Sequence, residues 1–123
     1  MKRCFSFDES QRLLPDIMRI TGRHREEMEH LWNKLNVDPR PATVLWTYHQ
    51  LNLLKANWIR LIRETGALPV RLWEVSFNSG DGFHYSWRLG EAGIEYVSRF
   101  DPDHPRRPAG YFRRYPLASI IKD

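Results

Sequence analysis

A chain of 123 residues, 41% hydrophobic and 28% charged, has the size and balance of one compact domain that needs no covalent staple. Its single cysteine, Cys4, excludes an internal disulfide and a cysteine-based zinc cluster. Nineteen basic residues stand against fifteen acidic ones, giving a net charge of +4 that is spread over both halves of the chain, so bulk charge makes no case for nucleic acid.

No apolar run approaches the roughly 20 residues that span a bilayer. The N-terminus lacks the apolar stretch of a signal peptide. With the lone cysteine, these features point to a soluble, cytoplasmic protein.

Ser6-Phe7-Asp8-Glu9 fits a capping box, in which Ser6 and Glu9 each satisfy a backbone N–H of the other's turn. Leu13, Ile17, Ile20, His24, Met28, Leu31 and Leu35 follow at steps of three and four, a helical seam of heptad type. Pro15 falls inside it and predicts a kink or short break, with a first turn before it and a long helix after it. Asn36 to Pro41 reads as a linker. A second helix is expected from about Ala42 to Thr65, capped by Gly66, with a seam of Val44, Tyr48, Leu51, Lys55, Trp58 and Ile62 broadened by Leu54 and Leu61. The short linker makes the two helices antiparallel neighbours over about 7–66.

The period then changes from 3.6 to 2. Val70 to Phe77 reads as one strand, with Trp73, Val75 and Phe77 on one face. Asn78-Ser79-Gly80-Asp81-Gly82 is a dense turn signal. Phe83, Tyr85, Trp87 and Leu89 alternate with His84, Ser86 and Arg88 in the next strand. Ile94 to Phe100 fits either a strand or a short helix. Residues 101–110 read as an irregular excursion, and 111–121 as an aromatic and apolar tail. The expected fold is a single α+β domain over 1–123, a long antiparallel helical hairpin packed on a small antiparallel meander at about 68–100, with an ordered C-terminal tail.

Three segments together resemble the bacterial domain of unknown function 2203 family. Phe5-Ser6-Phe7-Asp8-Glu9-Ser10-Gln11-Arg12-Leu13-Leu14-Pro15 is similar to its opening, F-[ST]-x-x-E-A-x-x-L-L-P. Trp87-Arg88-Leu89-Gly90-Glu91 is similar to its C-W-x-x-G-E motif, and Gly110-Tyr111, Arg114 and Pro116-Leu117 to its closing G-[FY]-x-x-R-x-P-[LI]. The chain departs from the pattern at three potentially reactive positions: Ser76, Ser86 and Ser98 align where the family usually has Asp, Cys and His. The resemblance implies no established activity. Any family chemistry resting on those three side chains is lost here or done differently.

Five kinds of site follow from the residues. Glu91, Arg88 and Arg114 are candidates for a small-anion site walled by Trp87 and Tyr85, in which arginines clamp a carboxylate or phosphate. The competing interpretation is a structural Arg–carboxylate pair tying the tail to the sheet. The five histidines, His24, His30, His49, His84 and His104, show no two-ligand helical spacing. Glu26 and His30 make one weak pair, and His24 reads as a packed core histidine, so neither a metal nor a cofactor is expected. Cys4 has no identifiable base, and no nucleophile elbow or phosphate-cradling glycine loop is present. Arg106, Arg107, Arg113 and Arg114 interleave with Tyr111, Phe112 and Tyr115, a pattern that single-stranded nucleic acid contacts use, although arginines covering an aromatic core give the same pattern. Surplus apolar residues on the second helix, Trp46 and Leu53 among them, leave room for a homodimer. The reading that follows is a non-catalytic binding or assembly protein, with a small-anion site as the alternative and a nucleic-acid contact as the third.

Overall fold

A computed structural model describes residues 3–100 and 112–119. The two helices are α1 (Phe7–Val37) and α2 (Pro41–Glu64). They are followed by β1 (Leu68–Arg71), β2 (Glu74–Asn78), β3 (His84–Arg88), β4 (Tyr96–Phe100), β5 (Phe112–Pro116) and a 3-10 turn at Leu117–Ser119. The five strands form one antiparallel meander in the order β1-β2-β3-β4-β5. The α+β hairpin-and-meander architecture expected from the sequence is therefore the observed one. The 101–111 stretch and the residues beyond Ser119 lie outside the described residues. Among the described residues, no helix is long and apolar enough to cross a membrane.

α1 starts where the capping box places it. The Ser6 hydroxyl accepts the Glu9 N–H at 3.1 Å, and a Glu9 carboxylate oxygen accepts the Ser6 N–H at 3.2 Å. The expected break at Pro15 does not occur, and α1 continues through it. Pro15 lies on the exposed side, so the acceptor it leaves without a partner is within reach of water, while buried Leu14 and Ile17 hold the flanking turns in the core. The linker is shorter than expected. α1 runs to Val37, and Pro41 opens α2, where its missing N–H costs nothing. Asp38 holds this corner by accepting from Arg40 Nε and Nη2 at 2.8 and 2.7 Å and from the Thr43 hydroxyl at 2.8 Å. Those bonds, the guanidinium first, pull its carboxyl from the ordinary 3.8 to about 2.

The seam of α2 is offset from the one expected. Tyr48 and Lys55 are exposed, and Thr47 and Leu54 take their places beside Leu51, Trp58 and Ile62. A pattern of Thr47, Leu51, Leu54, Trp58 keeps the period while swapping a polar residue into the buried row. The Thr47 hydroxyl is buried without a hydrogen-bond partner. Gly66 turns the chain out of α2 with φ at +93°, and a Cβ there would stand 2.6 Å from the Arg3 Cδ.

The single strand expected over Val70–Phe77 is two strands folded back at Leu72-Trp73. Ile94 to Phe100, ambiguous in sequence, contains β4. One face of the sheet presents Val75, Phe77, Tyr85, Trp87 and Val97. Against it pack Leu14 and Ile17 of α1 and Trp58 and Ile62 of α2. The Trp58 indole N–H donates to the Thr21 hydroxyl at 3.0 Å, and its ring meets Trp73 edge-on at 5.2 Å. Buried His24 bridges the helices. Its Nδ1 lies 2.7 Å from the Ile20 carbonyl and its Nε2 2.9 Å from the Asn57 amide nitrogen, which assigns the proton to Nδ1.

Two outcomes check this account. Thr47→Val keeps the shape and removes an unsatisfied hydroxyl, so urea unfolding should show a gain of about 1 kcal/mol. Because the folded-state pKa of Asp38 is depressed, its contribution is complete above about pH 4 and fades as pH falls toward about 2. Asp38→Asn should remove that part of the acid slope, and carbon-detected NMR should titrate the wild-type carboxyl near 2.

Candidate functional site

The Trp87–Glu91 segment closes β3 with a four-residue turn. The Glu91 N–H donates to the Arg88 carbonyl at 3.0 Å, and Gly90, third in the turn, adopts φ of +103°, which explains the glycine. The Trp87 indole N–H donates to the Glu91 carbonyl at 2.9 Å, and the Glu91 carboxylate accepts the Arg88 backbone N–H at 2.7 Å. Trp87, Gly90, Glu91 and the Arg88 backbone thus build the turn itself, while the Leu89 N–H donates to the Trp73 carbonyl at 3.0 Å.

Arg114 on β5 completes the arrangement. Its two terminal nitrogens donate to Glu91 Oε2 and Oε1 at 2.9 and 2.7 Å, its Nε donates to the Ser86 hydroxyl at 2.8 Å, and its guanidinium lies 4.2 Å from the Tyr96 ring centre. The side chains are 12% and 17% exposed for Arg114 and Glu91. A bidentate pair at that depth, with the third nitrogen also bonded, is saturated by the protein. It ties β5 to the end of β3 across β4.

The remaining residues of the predicted anion site lie elsewhere. Arg88 turns away from Glu91, and its Nε donates to Glu74 at 2.6 Å. Trp87 and Tyr85 stand on the helix-facing side, opposite to Arg114. Trp87 is in the core, and Tyr85 packs edge-on to Phe7 and Phe83. Burial, with Asp81 nearby, raises the Tyr85 hydroxyl above its ordinary value. Of the five residues, the structure brings together the side chains of Glu91 and Arg114 alone.

The outer face of the sheet carries the three serines at which the sequence departs from the resembled pattern. Ser76 and Ser86 are directly paired across β2 and β3, and Ser98 is paired with His84. All three serines are buried, and the Ser76 hydroxyl lies 3.3 Å from His84 Nδ1. Ser86 is engaged by Arg114. Among the described residues, no three His, Cys, Asp or Glu side chains gather closely enough to hold a metal ion. Cys4 is exposed.

For the nucleic-acid candidates, Arg106, Arg107 and Tyr111 lie outside the described residues. Arg113 is exposed beside the Tyr115 ring, at 5.6 Å, while the neighbouring Arg114 is committed to Glu91.

Sequence reasoning missed Glu74 and Arg71. Glu74 opens β2, is buried, and accepts from Arg88 while Arg71 Nε stands 3.5 Å from the same oxygen. The signal was the Arg71-Leu72-Trp73-Glu74 spacing, which becomes legible only once the strand is divided by a turn.

Comparison with family models, with curated proteins and with solved structures gives no match to this chain.

The Glu91–Arg114 pair should behave as structure. Glu91→Gln and Arg114→Lys are each expected to lower the unfolding free energy by about 2–3 kcal/mol, since each leaves a part-buried partner unsatisfied. In a double-mutant cycle the two losses should fall well short of additive.

Proposed function

We propose that this chain is a binding and assembly protein that acts as a homodimer joined through α2. The supporting observation is a second heptad seam on the outer side of that helix. Ala42, Trp46, His49, Leu53, Ala56 and Arg60 recur at steps of 4, 3, 4, 3 and 4, and all six are exposed. Trp46 and Leu53 are 46% and 53% exposed, and Leu45 beside them is more exposed still. Trp46 and Leu53, one heptad apart with small Ala42 and Ala56 on either side, suit a facing helix, whose knobs fill the gaps between them. The inner seam already packs on α1; on the outer one the Lys34 ammonium of α1 stands 4.7 Å from the Trp46 ring centre and Leu53 edges a hollow shared with α1, and the rest of its apolar surface has no partner among the described residues.

A second copy is the partner that the pattern favours. An antiparallel two-fold placed at the middle of the seam sets Trp46 opposite Ala56, His49 opposite Leu53 and Ala42 opposite Arg60. The largest residue then meets one of the smallest, twice. Around Ala56 the surface holds an open, mainly apolar hollow lined by Ile59, Arg60, Arg63 and Glu64, which a partner indole can enter. Each indole so placed removes from water the 46% of Trp46 that is still exposed. The helix is about 36 Å long at 1.5 Å per residue. With its neighbour alongside, it offers a face of the order of 700 Å², close to the share one partner gives to a standard interface.

The register supplies its own test. Sedimentation equilibrium should give twice the chain mass for the wild type. Trp46→Ala and Ala56→Trp should each give monomers with unchanged helical circular dichroism, because the first empties the hollow and the second fills it. The double variant W46A/A56W exchanges knob and hole and should restore the dimer. A wild type that stays monomeric at about 100 µM overturns the assembly reading, and a double variant that stays monomeric overturns this register.

A further inference from the structure

We propose a binding site for a small oxyanion, carboxylate or phosphate, in the hollow where the β1–β2 turn meets the end of β3. Three charged residues lie in one row across three strands there. Glu74 is paired in register with Arg71 on β1 and with Arg88 on β3. Both arginines approach the same oxygen of the Glu74 carboxylate, Arg88 Nε at 2.6 Å and Arg71 Nε at 3.5 Å. Two guanidiniums share one carboxylate, so the row carries a formal charge of +1.

The two arginines are not equivalent. The Arg88 contact is a short charge-assisted hydrogen bond, and it is enough to satisfy buried Glu74. Arg71 stands beyond ordinary hydrogen-bond range and is held near by charge. Neither guanidinium gives its terminal nitrogens to an acceptor among the described residues. Each therefore keeps the two-pronged donor edge that matches a carboxylate or phosphate. The Glu74 side chain is 5% exposed, whereas those of Arg71 and Arg88 are 59% and 47% exposed, so the acid is sealed and the bases face the opening.

The surroundings set the rest of the ligand. The hollow measures about 370 Å³ and is lined by Arg71, Leu72, Trp73, Glu74, Arg88 and Leu89. Among the described residues, no acid besides Glu74 lines it, and Leu72, Trp73 and Leu89 form an apolar wall beside the two cations. That combination suits a short organic acid or a phosphate monoester whose apolar part lies against the wall. This site is distinct from the saturated Glu91–Arg114 pair and independent of the α2 interface.

The experiment follows the arginine Nε–H and Trp73 indole signals by nitrogen-15 NMR, titrating the full chain separately with inorganic phosphate, phenyl phosphate, acetate and benzoate. Sodium chloride at matched ionic strength is the control. The site predicts saturable shifts at Arg71, Arg88 and Trp73. It predicts tighter binding of phenyl phosphate or benzoate than of its bare counterpart, and the stronger of those two arms identifies the anion. Arg71→Gln, at an exposed position that leaves the Glu74–Arg88 bond intact, should weaken binding at least about fivefold. The assembly variant Trp46→Ala should leave binding unchanged. Shifts that grow linearly and appear equally in chloride, or an affinity untouched by Arg71→Gln, overturn the proposal.

Discussion

The Trp58 indole sits where both helices and the sheet meet. Its N–H is satisfied by Thr21 of α1, its ring edge rests on Trp73, and almost none of it reaches solvent. Burying so large a ring with its one polar atom satisfied gives apolar area without a desolvation cost. The position also sets how the layers meet. The core cluster includes α1 residues only as far as Ile20 and α2 residues only from Trp58 onward. Among the described residues, the sheet covers one end of the hairpin, and the core cluster does not reach the other. That asymmetry explains why Val37, Leu45, Trp46 and Leu53 are exposed.

The polar side of the sheet follows a different rule. Its charged groups are consumed in pairs that join strands at a distance in sequence: Glu91 with Arg114, Glu74 with Arg88. The Trp87–Glu91 motif is the clearest case. Its tryptophan, glycine and acid look like a strand presenting a reactive group, yet the tryptophan and the acid make the bonds that shape the turn and fasten β5, and the glycine supplies its left-handed residue. A motif of chemically capable residues can thus be fully explained by the backbone it must hold. What the pairs do not consume is Arg71 and the terminal nitrogens of Arg88.

Much of the fold was legible because its signals are local. The Ser6–Glu9 box, the change of period after Gly66 and the Asn78–Gly82 turn each act over a few residues. The errors also have physical causes. Pro15 was expected to kink or break α1; the helix runs on through it, because burial of Leu14 and Ile17 on either side outweighs one lost bond to a solvent-facing turn. Tyr48 and Lys55 were placed on the inner seam because period alone does not distinguish two adjacent faces of a helix. The fold-back at Leu72-Trp73 carries neither Gly nor Pro, so nothing in composition separated β1 from β2. For the site, strand alternation put Arg88 and Trp87 on opposite faces, which a list of nearby residues conceals. Arg114 found Glu91 only through the register of β4, which sequence left open.

The order of the sheet bears on how the chain reaches this structure. Each strand pairs only with its neighbours in sequence, and the two helices do the same across a short corner. No strand must thread between others or wait for a distant partner, so most of the architecture can form by closing short loops, the situation in which folding is fast. Contacts between distant parts of the chain, among the described residues, include the Phe5 N–H to the Asn78 carbonyl, Arg3 to the Thr65 carbonyl, the rings of Phe5 and Phe7 on Phe77 and Tyr85, and Trp58 with Thr21. The hairpin and the meander are each locally determined. It is their docking, with the N-terminal segment laid across the seam between them, that carries the loop-closure entropy of the whole fold.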